Sequence, residues 1–331
     1  MSLVARMTAQ AEPPIRDRDM QRNAPLPKRI NGMDQSTTVL CETEWPLARL
    51  MGPAPMCLCF ISHVEGPSYR PLGSGMAVDG AGRRFGNLSS GCIDEDVALH
   101  AVEALKSGAP KVLRYGRGSP FMDIQLPCGG GLEVTLLPAS EREILDVARR
   151  RLVARENVTL TVLPDGQIEN GATPGGLTIT LRPKVRVLVF GDGPEPRGFS
   201  ALAQAAGLPV ALYAGAKETR DGIAGACAFS GKTWPDTAHV DHRTAVTLFF
   251  HDHERETRLL RHALETPAFY IGAQGSLRAR QLREAALSAA GVGDAEIARL
   301  VEPFGYVAHA RSALEMAAGV LAQVVDHARR L

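Results

Sequence analysis

From residue 56 onward the chain alternates short apolar runs with glycine-bearing turns. Met56-Cys57-Leu58-Cys59-Phe60-Ile61-Ser62-His63-Val64 is rich in strand formers and is closed by Gly66-Pro67-Ser68, so it predicts a buried strand entering a loop. Residues 75–79 and 83–88, separated by Gly80-Ala81-Gly82, predict a hairpin. Between 93 and 106 the apolar residues Ile93, Val97, Val102 and Leu105 fall near helical spacing, and Asp94, Glu95 and Asp96 crowd the first turn, where they suit the helix dipole. Two strands follow at 111–115 and 132–137, then a helix over 140–155. Strands at 158–163 and 177–181 read as a pair around the turn Asp165-Gly166.

A different rhythm starts at Val185. The continuous apolar strand 185–190 meets Gly191-Asp192-Gly193-Pro194-Glu195-Pro196 and an apolar helix running to 206, the opening of a doubly wound unit. Strands at 208–213, 245–250 and 268–271 alternate with helices at 254–264, 277–290 and 313–330, which implies a parallel sheet covered on both faces. Ser312 and Glu315 stand at capping-box spacing at the start of the last helix. The expected fold is therefore α/β: a smaller mixed α+β domain over 39–155, a connecting segment 156–183, and a Rossmann-like doubly wound domain over 184–331. Residues 1–38, with arginines scattered among acids and prolines, read as a disordered extension in which Met33 is a candidate native start.

Composition narrows the function. The 331 residues are 45% hydrophobic and 22% charged, ordinary for a globular protein, and the formal charge of +1 supplies no field for nucleic acid or an anionic membrane. No apolar run is long enough to span a bilayer. Six cysteines are too few for a disulfide scaffold of this size, which points to a reducing cytoplasm.

The candidate chemistry lies in two glycine-bracketed cysteines, Ser89-Ser90-Gly91-Cys92-Ile93-Asp94 and Pro127-Cys128-Gly129-Gly130-Gly131. Gly, Ser and Pro neighbours make turns with free amides, so each thiol stands where a soft, anionic ligand can approach. Cys92 also falls at a helix N-terminus. By contrast Cys57 and Cys59 share one face of an apolar strand and read as core. Arg70, beside a glycine turn, is a bidentate donor suited to an anion such as phosphate. His251-Asp252-His253-Glu254 follows a strand of the parallel sheet, where such sheets bind ligands. The Gly191-Asp192-Gly193 turn has Pro196 in place of the third fingerprint glycine, and Ala214-Gly215 stand where a ribose-binding acid belongs.

Taken in order, Glu65-Gly66-Pro67-Ser68-Tyr69-Arg70, Ser90-Gly91-Cys92-Ile93-Asp94-Glu95, Pro127-Cys128-Gly129-Gly130, His251-Asp252-His253-Glu254, Tyr270-Ile271-Gly272 with Gly275-Ser276, and Pro303-Phe304-Gly305 resemble the XdhC/CoxI family. The family comprises accessory proteins of molybdenum hydroxylases. The resemblance implies a maturation factor rather than an enzyme. Such a factor binds the molybdenum cofactor (molybdopterin or its dinucleotide form), shields it, supports its sulfuration through a cysteine desulfurase, and delivers it to a hydroxylase of the xanthine dehydrogenase or aldehyde/CO dehydrogenase type. A homodimer is expected. Carried over residue by residue, cofactor contacts fall on Ser68, Tyr69 and Arg70, on Ser90, Gly91 and Cys92, on Cys128, Gly129 and Gly130, and in the second domain on His251, His253, Gly272 and Ser276, to which the glycine turn of the doubly wound unit adds Gly191 and Gly193. Cys92 is the candidate molybdenum contact. The chain departs from the family pattern at Pro71 and Gly75, where arginines are usual, and over Gly305-Tyr306-Val307-Ala308-His309-Ala310, which lacks an aspartate. Two other readings compete: an NAD(P)-dependent oxidoreductase using the second domain despite its defective fingerprint, and a metal-dependent hydrolase built on His251, His253 and Glu254.

Overall fold

The computed structural model describes residues 36–119, 126, 129–138, 142–230, 233–250 and 253–331. The chain divides into two compact units. One holds Glu44–Val147 and Thr159–Thr180 with residues 36–38, and the other holds Val39–Thr43, Ala148–Val158 and Leu181–Leu331.

In chain order β1 (Thr37–Cys41) and α1 (Leu47–Leu50) precede β2 (Met56–Glu65), β3 (Gly75–Asp79), β4 (Arg84–Gly86), α2 (Asp94–Ser107), β5 (Lys111–Gly116), β6 (Gly131–Pro138) and α3 (Arg142–Val153), of which β1 and α3 are divided between the two units and the rest belong to the first. Among the described residues β2 to β6 form an antiparallel sheet in the order β4-β3-β2-β6-β5. β2 lies in its middle and is covered on both faces, which is why its sequence is continuously apolar rather than alternating. Cys57, Cys59 and Ile61 pack with Val97, Ala101 and Ala104 of α2. On the other face Phe60 meets Trp45, with ring centroids 6.2 Å apart. Burial and the neighbouring Cys57 push the Cys59 thiol pKa up, as befits a packing cysteine.

The stretch expected to connect the domains is instead sheet. β7 (Val158–Val162), β8 (Ile168–Asn170) and β9 (Leu177–Arg182) join β1 in the order β1-β9-β7-β8. β7 and β9 are neighbours, as the predicted pairing of the 158–163 and 177–181 strands requires, but the turn at Asp165-Gly166 leads from β7 into β8, which pairs along the other edge of β7. The reason is local: β8 is three residues long with one buried apolar side chain, Ile168, too short to show a period. Of the extension 1–38, residues 1–35 lie outside the described residues, and 37–38 begin β1.

The second unit runs β10 (Arg186–Gly191), α4 (Pro194–Ala205), β11 (Val210–Ala214), α5 (Lys217–Arg220), β12 (Cys227–Ala228), β13 (Thr244–Phe249), α6 (His253–Leu264), β14 (Tyr270–Ala273), α7 (Leu277–Ala289), α8 (Asp294–Ile297) and α9 (Ala313–Ala328). Its strands are all parallel, in the order β12-β11-β10-β13-β14. Phe199 of α4 and Val320 and Val324 of α9 fill one face, and Leu259 and Leu260 of α6 with Leu287 of α7 fill the other. This is the doubly wound arrangement that the strand and helix alternation predicts. The Ser312 hydroxyl caps α9 by accepting from Glu315 N at 3.2 Å, while the Glu315 carboxylate reaches past Ser312 to the Arg311 amide at 2.6 Å.

At the edge where β10 and β13 begin, Asp241 gathers the loops. Its carboxylate accepts from Arg155 Nε at 2.8 Å, Thr244 Oγ1 at 2.8 Å and the Arg243 amide at 2.9 Å. Burial opposes its charge, yet these donors prevail and hold the carboxyl at about 2. A carboxyl whose folded pKa is depressed stabilises the fold above its unfolded value of about 3.9, and that contribution is lost as pH falls toward the folded value. Asp241→Asn is therefore expected to cost about 2 kcal/mol in urea unfolding near neutral pH. The gap between variant and wild type should shrink as the pH is lowered from about 5 to about 2.5.

Candidate functional site

At one end of the antiparallel sheet β2 and β5 finish, β6 and β3 start, and β4 leads toward Cys92, so the 66–70, 87–93, 116–119 and 129–130 segments all emerge at that end. Three of these segments touch backbone to backbone. A Cβ on Gly130 would overlap the Pro67 carbonyl oxygen, and one on Gly116 would overlap that of Gly130. Glycine at these positions brings the Ser68-Tyr69-Arg70 loop against the start of β6. Within that loop the Ser68 hydroxyl donates to Arg70 O at 2.7 Å, and Tyr69 is 71% exposed. Arg70, expected to grip an anion, bonds instead to the Glu44 carboxylate, which also accepts from the Ser74 hydroxyl at 2.9 Å. Arg114 likewise donates to Glu65 and Glu133.

The Cys92 loop is built around one buried carboxylate. Asp94 accepts from the Leu88 amide at 3.1 Å and the Ser89 hydroxyl at 3.0 Å, and Ser89 Oγ accepts from Gly91 N at 3.0 Å and Ile93 N at 3.3 Å. These bonds close the turn before α2 and leave Ser90, Gly91 and Cys92 exposed. Gly91 has φ +102°, and among the described residues, its chain neighbours aside, no atom lies within 4 Å of where its Cβ would stand. Gly129 is equally open at φ +68°, while Cys128 lies outside the described residues.

The second unit carries a cavity of about 780 Å³ beyond the ends of β13 and β14, with Phe250, Gln274, Ser276, Arg280, Phe304, Tyr306 and Met316 among its lining residues. Crevices at the carboxyl ends of parallel strands are where such sheets bind ligands. Each wall has a physical cause. Gly272 in β14 leaves room for the Phe304 ring, since a Cβ there would stand 2.6 Å from it. The turn carrying Phe304 is clamped by Gln323, whose amide oxygen accepts from Tyr270 Oη at 2.8 Å and Gly305 N at 2.7 Å and whose nitrogen donates to Pro303 O at 2.9 Å. Beneath, the Arg283 guanidinium donates to Glu256 at 2.6 Å, Glu302 at 3.0 Å and Gln274 O at 2.7 Å. Burial raises the pKa of the Glu302 carboxyl, against the pull of Arg283 and Arg280, and burial likewise raises that of the Tyr270 hydroxyl.

Of the predicted residues of this unit, Ser276 lines the cavity and caps α7, accepting from Ala279 N at 3.3 Å. Gly272 acts through Phe304. His251 lies outside the described residues, and His253 opens α6. Gly191 and Gly193 do not line the cavity. A Cβ on Gly191 would overlap the Phe249 carbonyl oxygen, and Gly193 N donates to the Thr219 hydroxyl at 3.0 Å. Among the described residues no group of three or more His, Cys, Asp or Glu side chains could hold a metal ion. Sequence reasoning missed Arg283, Glu302 and Gln323. A signal existed for two of them: Arg283 interrupts the buried stripe of α7, and Gln323 sits on the apolar face of α9, where a polar residue needs a partner.

These features define a two-unit protein that joins an antiparallel sheet with a glycine-framed thiol loop to a Rossmann-like unit whose cavity lies off the dinucleotide turn. Residues 52–116 match the XdhC and CoxI family, and residues 187–324 match the XdhC Rossmann domain. Over 323 residues, 95% of this chain and 94% of that protein, it is 32% identical to the molybdenum cofactor insertion chaperone PaoD of Escherichia coli K12. A crystal structure named as a xanthine dehydrogenase from Bacillus halodurans shares the fold, with a TM-score of 0.73 at 21% identity over 88% of this chain and 96% of that one. The chain belongs to the XdhC/CoxI family.

Gln323→Leu would leave the Gly305 amide and the Tyr270 hydroxyl without their acceptor. It is expected to cost about 2–3 kcal/mol in denaturant unfolding and to loosen the 303–305 wall, read as faster hydrogen exchange at Gly305.

Proposed function

We propose that this chain is a maturation factor that binds the molybdenum cofactor as cargo and hands it to a molybdenum hydroxylase of the xanthine dehydrogenase or aldehyde/CO dehydrogenase type. The observation that carries this reading is the full-length similarity to a molybdenum cofactor insertion chaperone, together with the placement of the shared motifs. Those of the first unit emerge at one end of its sheet, and Ser276 and the Pro303–Gly305 turn border the second unit's cavity. The residues suit such a cargo. Cys92 offers an exposed thiol, a soft donor for a sulfur-ligated metal, and open space beside Gly91 and Gly129 admits a bulky ligand close to the backbone. Ser68, Tyr69, Ser90, Cys128 and Gly130 belong to the same proposed contact surface, with Arg70 and Glu44 as the ion pair that shapes it. Supporting cofactor sulfuration with a cysteine desulfurase, and working as a cytoplasmic homodimer, are parts of the same proposal.

The dinucleotide alternative finds little support at α4. Pro194 and Pro196 lack amide protons at its first turn, the Glu195 carboxylate stands 3.3 Å from where a Gly193 Cβ would be, and the Asp192 side chain is taken by Ala216 N at 2.7 Å. A pyrophosphate there would meet an acid and few donors.

Expression in a host that makes the cofactor, followed by assay of molybdenum and of the fluorescent oxidised pterin, tests the proposal. Both should co-purify near stoichiometry. Cys92→Ala should lower bound molybdenum by about tenfold, the loss of one donor worth about 1.4 kcal/mol, while Cys227→Ala, an exposed thiol elsewhere, leaves it unchanged. Absence of both molybdenum and pterin from the wild-type chain would overturn the reading.

A further inference from the structure

The proposed function leaves open what the second unit's cavity recognises. Its lining is aromatic and apolar on one side, with Phe250, Phe304, Tyr306 and Met316, a composition that accepts a flat ring system. Its charge does not favour an anion. Arg280 is the cation of the lining, and its Nε proton already goes to Glu284 at 3.0 Å. The carboxylate of the lining is Glu302, whose side chain is 13% exposed. Its Oε1 accepts from Arg283 Nη1 at 3.0 Å, and Arg283 is itself 1% exposed and anchored to Glu256 and Gln274, so Glu302 is held in a fixed position. Oε2 stands 4.0 Å from Arg280 Nε, beyond hydrogen-bond reach, and has no hydrogen bond among the described residues. A fixed carboxylate with spare acceptor capacity beside aromatic rings matches a planar heterocycle that presents in-plane N–H donors.

We propose that Glu302 recognises the 2-amino-4-oxopyrimidine edge of a bicyclic heterocycle, the cyclic-guanidine edge that pterins and guanine share. Glu302 accepts from the ring N–H and the exocyclic amine, the ring lies against Phe304, and the Gln274 side-chain amide and Ser276 hydroxyl donate to the ring carbonyl. The inference rests on the reading of the chain as a carrier of a pterin-based cargo.

The test is fluorescence titration of the full chain with 6-hydroxymethylpterin and with its lumazine counterpart, in which an oxo group replaces the 2-amino group. Guanosine and adenosine serve as competitors. The wild-type chain should prefer the pterin over the lumazine by at least about tenfold, because the lumazine leaves the carboxylate facing a carbonyl. Glu302→Gln should abolish that preference, and Glu284→Gln should keep it. Displacement of the pterin by guanosine but not adenosine would extend the site to guanine nucleotides, and failure of both to displace it would confine the site to pterins. Equal affinity for pterin and lumazine, or binding of neither, overturns the proposal without any variant having to fold. The two readings fail separately. Molybdenum that co-purifies with a chain showing no pterin preference removes only the Glu302 assignment, whereas pterin selection by a chain that carries no molybdenum removes only the carrier function.

Discussion

The second unit depends on one buried cation. Arg283 reaches from α7 to Glu256 on α6, to Glu302 before the Pro303–Gly305 turn, and to the main chain after β14, so a single guanidinium ties together the parts that frame the cavity. A buried ion pair adds little net stability over a well-packed apolar substitute, but losing one partner strands the others and costs about 3–5 kcal/mol. Such a cluster specifies geometry more than it adds stability. Gln323 does the same work with neutral groups from α9, and together the two side chains hold the 302–305 segment from both faces of the sheet.

The first unit reaches a defined site by another route. Its loops are set by the absence of side chains: Gly116 and Gly130 let three backbone segments touch, and Gly91 leaves space beside Cys92. Charge there is largely neutralised within the unit, Arg70 by Glu44 and Arg114 by Glu65 and Glu133. Among the described residues of these loops the Cys92 thiol, the Tyr69 ring, Ser90 and the Arg117 side chain are exposed. The proposed contact surface therefore offers softness and shape more than net charge, in keeping with a chain whose formal charge is +1.

The Rossmann-like topology is retained, and the glycine turn before α4 makes hydrogen bonds within its own unit. In a dinucleotide-binding sheet the first glycine turn faces pyrophosphate, whereas here that turn is bonded to Thr219 and Ala216 and the helix behind it begins with prolines. The cavity has moved one strand along, past β13 and β14. Topology supplies a crevice, and side chains decide where along the sheet edge it opens.

The alternation of apolar runs and turns determined most of the strands and helices, including the continuous apolar runs of β2 and β10 that mark strands covered on both faces, and the motif order alone pointed to the family. Local rules suffice for such features because periodicity and glycine placement are properties of neighbouring residues. Tertiary structure decided the rest. β8 is too short to carry a period, and Arg70 looked like a free anion donor because Glu44, 26 positions away, gives no local sign of pairing with it. The cavity depends on Arg283, Glu302 and Gln323, whose roles arise only when helices distant in sequence bring a buried charge or amide against a turn. A sequence displays the residues that can bond, but burial chooses which of them must, because only removal from water makes an unpaired polar group costly.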